Sequence, residues 1–144
     1  MAFRGHYEHS LDSKDRLTVP AKFRKALGDG VVLVAGLEPC VWVFPAKGYE
    51  SFSEQFIGTS SPLTKRGRVL RRHFHGESFD DKLDSNGRVH LPKRLVEEAE
   101  LAGTCVVIGM EDYFEVWNET RWQAAEAEVK ETVTDVAEGH GEES

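Results

Sequence analysis

The sequence predicts a mainly β chain with short α helices, an α+β fold made of one small unit used twice and related by pseudo-twofold symmetry. Three observations carry that expectation. Leu11-Asp12-Ser13-Lys14-Asp15-Arg16-Leu17-Thr18-Val19-Pro20 returns 72 positions later as Leu83-Asp84-Ser85-Asn86-Gly87-Arg88-Val89-His90-Leu91-Pro92. The apolar block from Gly30 to Glu38 returns from Gly103 to Glu111, now 73 positions later, so one residue was gained in between. Val41-Trp42-Val43-Phe44 then aligns with Phe114-Glu115-Val116-Trp117. Self-similarity at a fixed period marks a supersecondary unit that packs against its own copy.

Each element follows from local pattern. Residues 4–11 alternate weakly and read as a strand leading into the first motif. Asp12 to Asp15 is polar and turn-forming, and Leu17 and Val19 then alternate with Arg16 and Thr18 as a half-buried strand. Pro20 opens a helix, where its missing N–H costs nothing, with Phe23, Ala26 and Leu27 at helical spacing and Gly28-Asp29-Gly30 as its stop. Strands are expected at 31–35 and 41–44. Pro45 opens a helix of about ten residues with Tyr49, Phe52 and Phe56 as its apolar stripe.

Residues 58–62 form a loop. From 63 to 76 the chain reads as a basic amphipathic helix, with Leu63, Val69, Leu70 and Phe74 set against Lys65, Arg66, Arg68, Arg71 and Arg72. The plan then repeats, with strands near 77–83 and 89–91, a helix from Pro92 to about Leu101, and strands near 104–108 and 113–116. Asn118 caps a final helix with a stripe of Trp122, Ala125 and Val129, and residues 138–144 are expected to be disordered. The division expected is a first module over 1–57, a basic helical linker over 58–76, a second module over 77–125, and an acidic helix end and tail over 126–144.

The net charge of −7 argues against a nucleic-acid partner until it is mapped along the chain. Residues 1–27 carry a net +3 and residues 63–94 a net +5, whereas 28–62 carry −3 and 95–144 carry −12. Positive charge therefore gathers around both motif copies, and the local field governs nucleic-acid binding. The N-terminus lacks the apolar core of a signal peptide and no apolar run is long enough to span a bilayer, so a cytoplasmic protein is expected. Cys40 and Cys105 lie in apolar strand-like runs and read as buried free thiols. The six histidines lack metal-ligand spacing, and no phosphate loop, Ser-centred elbow or carboxylate pair with a base is present. No metal, cofactor, small-molecule substrate or catalytic role is expected.

In each motif the aspartate can accept backbone N–H bonds across its turn, and the arginine four residues on can bridge back to it. That role needs no ligand. A second reading adds contact with DNA, because arginine can bond a phosphate or the O6/N7 edge of guanine with two parallel N–H groups.

The paired motifs, together with Phe3-Arg4-Gly5, Lys22-Phe23-Arg24 and Leu70-Arg71-Arg72-His73-Phe74, resemble the MraZ family over roughly residues 1–125. The resemblance implies two tandem AbrB-like swapped-hairpin (double-split β-barrel) modules. It also implies a ring-shaped homo-oligomer that binds short direct repeats in double-stranded DNA upstream of the cell-division and cell-wall gene cluster, usually as a repressor at the nucleoid. On that reading Asp12 and Asp84 hold the turns, Pro20 and Pro92 complete the structural motif, and Lys14, Arg16, Asn86 and Arg88 are presented to DNA with Arg4 in support. Asp15 stands where the family usually has glycine, and Lys14 makes the first copy the expected stronger reader. Two alternatives stay open: a ring-forming scaffold with weak DNA binding, favoured by the acidic C-terminal region and Asp15, and an AbrB-type antitoxin, which normally has one motif copy.

Overall fold

Three prolines set where strands hand over to helices. Pro20, Pro45 and Pro92 have φ of −49°, −59° and −57° with extended ψ, and each occupies the capping position one residue ahead of its helix. A fixed φ near −65° suits that place, and the absent N–H is one that no helical carbonyl would have accepted. In this computed structural model, which describes residues 2–139, the strands are β1 (His6–Ser10), β2 (Arg16–Thr18), β3 (Val31–Ala35), β4 (Cys40–Pro45), β5 (Ser78–Asp81), β6 (Arg88–His90), β7 (Thr104–Gly109) and β8 (Phe114–Asn118). The helices are α1 (Ala21–Arg24, extended by a 3-10 turn to Leu27), α2 (Ala46–Phe52, continued by a π turn to Ile57), α3 (Lys65–Phe74), α4 (Lys93–Glu98) and α5 (Glu119–Ala137).

Two antiparallel sheets result. Six strands run in the order β1-β7-β8-β4-β3-β5, and β2 pairs with β6 in a separate two-stranded ribbon. The halves trade strands: β1 of the first half lies on β7 of the second, and β5 of the second lies on β3 of the first. The local pseudo-twofold axis runs between repeat-equivalent partners, Leu17 opposite Val89 in the ribbon and Trp42 opposite Glu115 in the sheet. Register also refines the repeat. Leu33 faces Val43 and Phe79, while Val107 faces Val116 and Tyr7, so Leu33 and Val107 are structural equivalents. The sequence echo, aligned on its glycines, pairs them one residue out.

Strand alternation sends side chains to two faces, and each face has its own core. On the first, Leu33, Val41, Val43, Val107, Phe114 and Val116 pack against Leu17 and Val89 of the ribbon, Phe23 of α1 and Leu95 of α4. On the second, Val34, Trp42, Phe44 and Trp117 pack against Tyr49 of α2, Phe74 of α3 and Trp122 of α5. β3 and β4 are buried along their whole length because both faces are covered, which is why they read as unbroken apolar runs. Both cysteines are free and buried.

The fold is mixed α+β with an antiparallel sheet and short helices. Among the described residues no closed barrel forms; the two halves share one open six-stranded sheet.

Three expected apolar stripes are corrected. In α2, Tyr49 and Phe52 pack in the second core but Phe56 is exposed. In α3 the buried positions are Gly67 and Phe74, with Leu70 half-buried, whereas Leu63 is 89% and Val69 51% exposed. The helix turns this way because Gly67 presses onto the Ser61 carbonyl, where a Cβ would collide, and Thr64 Oγ1 caps its N–H at 3.0 Å. In α5, Trp122 and Ala125 reach the core, but Val129 is exposed because the helix runs on past it. The expectation of disorder over 138–144 falls outside the described residues from 140 onward.

Candidate nucleic-acid interface

The two motif turns are built alike. Asp12 Oδ1 accepts the backbone N–H of Lys14 and of Arg16, both at 2.9 Å, and its Oδ2 accepts Arg16 Nε at 2.8 Å. Asp84 Oδ1 accepts Asn86 N–H at 2.8 Å and Arg88 N–H at 2.9 Å, and its Oδ2 accepts Arg88 Nε at 2.8 Å. An aspartate at the first position of a tight turn is the residue type that can satisfy such donors locally. The Arg16 backbone N–H is the strongest influence holding the Asp12 carboxyl down, to about 2, with the Lys14 N–H and the Arg16 side chain adding to it. Asp84 is lowered from the same kind of partners, the Arg88 backbone N–H first.

The fourth residue of each turn lies in the left-handed region, Asp15 at φ 59° and Gly87 at φ 73°. Its carbonyl then reaches the opposite copy: Leu91 N–H donates to Asp15 O at 2.8 Å, and Val19 N–H to Gly87 O at 2.9 Å. The difference between the copies has a steric reason. Arg24 Nε donates to Val19 O at 2.9 Å, and its side chain lies over Gly87, where a Cβ would collide with it. At the position of the second half corresponding to Arg24 stands the apolar Val96.

The turns are joined by the ribbon. In β2 and β6, Leu17 faces Val89 and both are fully buried, so Arg16, Thr18, Arg88 and His90 take the outer face. Arg16 stands opposite His90 and Thr18 opposite Arg88, which puts the two arginines at diagonal corners, on the order of 7 Å apart at Cβ. Each arginine is bound to its aspartate through Nε, and neither Nη is engaged in a hydrogen bond among the described residues. Their side chains are 31% and 27% exposed. The ribbon thus presents two oriented guanidinium groups, with Lys14 and Asn86 exposed on the flanking turns. A two-stranded ribbon has the width that the DNA major groove admits.

Arg4 is not brought to this surface. It makes a two-pronged pair with Glu111, Nε to Oε2 at 2.9 Å and Nη2 to Oε1 at 3.1 Å, before β1 begins, six residues of chain (roughly 20 Å) from Ser10 and the turn beyond. The basic helix α3 packs on the second face of the sheet, the side away from the ribbon. Thr18 and His90 join the same outer face. They are repeat equivalents at outward positions of the alternation, but only the pairing of β2 with β6 sets each across from an arginine. Among the described residues no three histidine, cysteine, aspartate or glutamate side chains gather as a metal site, and no helix is long and apolar enough to cross a membrane.

Two Asp-x-x-x-Arg turns on a shared ribbon, over a sheet made by strand exchange, define the chain as an internally duplicated hairpin protein with two oriented arginines on its ribbon surface. Comparison with known proteins places it further. The family model described as "MraZ protein, putative antitoxin-like" matches residues 2–72 and 74–139, and the chain belongs to the MraZ family. It is 37% identical over 137 residues to the Transcriptional regulator MraZ of Ligilactobacillus salivarius, covering 94% of each chain. It is likewise 37% identical over 137 residues to the protein of that name from Lactiplantibacillus plantarum, covering 94% of this chain and 96% of that one. The Lactobacillus johnsonii protein of that name is 36% identical over 137 residues, with 94% of each chain covered.

Proposed function

We propose that this protein is a sequence-specific DNA-binding transcription regulator, a repressor that acts as a ring oligomer on short direct repeats in its own promoter, ahead of the cell-division and cell-wall genes. The observation that carries the reading is the outer face of the ribbon. Arg16 and Arg88 sit at diagonal corners, each oriented through Nε by an aspartate that the turn itself holds. Their free Nη groups are suited to phosphate or guanine, and orientation by a fixed carboxylate lowers the entropy cost of the contact. Lys14 and Asn86 extend the surface at its two ends, and His90 and Thr18 share the outer face with the two arginines. The names carried by the relatives support the regulator reading.

Each half is read as one AbrB-type swapped-hairpin module, the first over 1–57 and the second over 77–125, joined by the basic segment 58–76 and followed by the acidic region 126–144. One ribbon offers few base contacts and binds weakly by itself. Several ribbons on one ring, engaging repeats in phase, gain through effective concentration. The protein then works in the cytoplasm at the nucleoid.

The test is a salt titration of binding to the protein's own upstream DNA, by fluorescence anisotropy, against a random duplex of equal length. Specific binding that weakens steeply with salt and falls about tenfold in Arg16→Ala, with an unchanged circular dichroism spectrum, supports the reading. Equal binding to both duplexes sinks it.

A further inference from the structure

The second face of the sheet carries an apolar groove of about 860 Å³. Its walls include Leu37, Trp42, Phe52, Phe56 and Tyr113, and Arg66 of α3 stands at its edge. Leu37 is 68% and Phe56 54% exposed, so aromatic and aliphatic surface is open to solvent there. The groove is bordered by α3, which carries five cations and no acid between Lys65 and Phe74. Among the described residues none of those five forms an ion pair.

A complementary element exists in the same chain and, among the described residues, is left exposed. The stripe of α5 that begins with Trp122 and Ala125 in the core continues as Val129, Val133 and Val136, which are 53%, 52% and 58% exposed. Spacings of four and three residues place them on one side of the helix. Over its length α5 carries Glu119, Glu126, Glu128, Glu131 and Asp135 against Arg121 and Lys130, a net negative charge. The root of α5 is fixed on β7 and β8 through Trp117 and Trp122, whose rings are 5.6 Å apart, and the groove lies over β4.

We infer that the distal half of α5 docks in the groove between α2 and α3 of a second copy of this chain. The valine stripe meets the aromatic floor and the acidic flanks of α5 face Arg66 of α3 and Lys47 of α2, the two cations that line the groove. A helix laid in an apolar groove by spaced anchors is a recurring mode of recognition. Groove and helix are different patches, so the contact is heterologous, and repeated head to tail it closes into a ring or continues as a filament. It lies on the sheet face opposite the ribbon and leaves Arg16 and Arg88 of every copy uncovered. This inference rests on the proposed assembly and names its interface.

The experiment uses the full chain and reads mass by light scattering after size exclusion and by sedimentation velocity. Three variants are compared with wild type: Val133→Asp on the helix, and Phe56→Asp and Leu37→Asp in the groove, all at solvent-exposed positions, each checked by circular dichroism. Wild type is expected to be an oligomer and each variant a monomer, with the dissociation constant of the contact raised about tenfold or more. Mixing Val133→Asp with either groove variant is expected to give a dimer and nothing larger, because the mixture retains one intact helix and one intact groove. Variants that stay fully assembled overturn the inference and leave the ring reading standing. Loss of assembly in Val133→Asp alone, with no dimer on mixing, overturns it in favour of α5 pairing with α5. A wild-type monomer at about 100 µM overturns both the inference and the assembly it rests on.

Discussion

Arg24 lies across Gly87, a residue of the other half of the chain, while its Nε holds the carbonyl of Val19 at 2.9 Å. This contact breaks the symmetry of the two motifs. Gly87 has φ 73°, and its carbonyl accepts Val19 N–H, so one guanidinium and one turn clamp the end of the ribbon together.

Gly87→Ala is therefore expected to destabilise the fold by about 1–2 kcal/mol, from the left-handed backbone and from displacement of Arg24. In an Arg24→Ala background only the backbone part should remain, so a double-mutant cycle by thermal or urea unfolding should show coupling. Equal costs in the two backgrounds would refute the contact.

Asp15→Gly should act the other way. Asp15 sits at φ 59°, where an L residue is strained, and relief of that strain outweighs the added chain entropy. A rise in stability of up to about 1 kcal/mol is expected, and removal of a carboxylate beside Lys14 should tighten DNA binding at low salt.

Arg16→Ala and Arg88→Ala separate binding from folding. Each ion pair is part-exposed, and the aspartate keeps its backbone donors, so the melting temperature should fall by no more than about 2–3 °C. DNA affinity should drop about tenfold per arginine, with the salt slope reduced by about one if phosphate is the partner. Arg4→Ala should leave affinity within about twofold, since its guanidinium is committed to Glu111 far from the ribbon.

Acid should loosen the turns in a defined window. The folded Asp12 carboxyl is held to about 2, below its ordinary value of 3.8, so its contribution is fully present above the unfolded value and disappears as pH falls through about 2. Asp84 follows the same sign. Melting temperature measured from pH 5 to 2 should decline more gently in Asp12→Asn than in wild type. Identical profiles would show that the turn carboxylate does not govern the acid limb.

Glu115 has the opposite sign. It is buried on the pseudo-twofold axis, with Oε2 accepting Trp42 Nε1–H at 3.1 Å and Oε1 accepting Trp117 Nε1–H at 2.9 Å, and burial pushes its carboxyl up despite those donors. Its contribution is present below the unfolded value and is lost as pH rises through the folded one. Glu115→Gln should abolish that decline and, by setting an amide N–H against one indole, cost about 1–3 kcal/mol at acid pH.

Features set by near neighbours in the chain could be read without the fold. Asp12 and Arg16, or Asp84 and Arg88, are four residues apart, so the turn, its hydrogen bonds and its ion pair follow from residue type and spacing without reference to the rest of the chain. Prolines 20, 45 and 92 start their helices for reasons equally local, and Asn118 caps α5 through its own side chain, accepting Arg121 N–H at 3.1 Å. The duplication, too, could be read from the sequence, since it is written twice. The choice of partners came from long-range packing. Alternation says which side of a strand is buried but not which strand lies beside it, because that choice is made by packing between residues far apart in the chain. Only the exchange of β1 and β5 and the pairing of β2 with β6 set Arg16 opposite His90, put Arg24 over Gly87, left Arg4 with Glu111, and turned α3 to the face away from the ribbon.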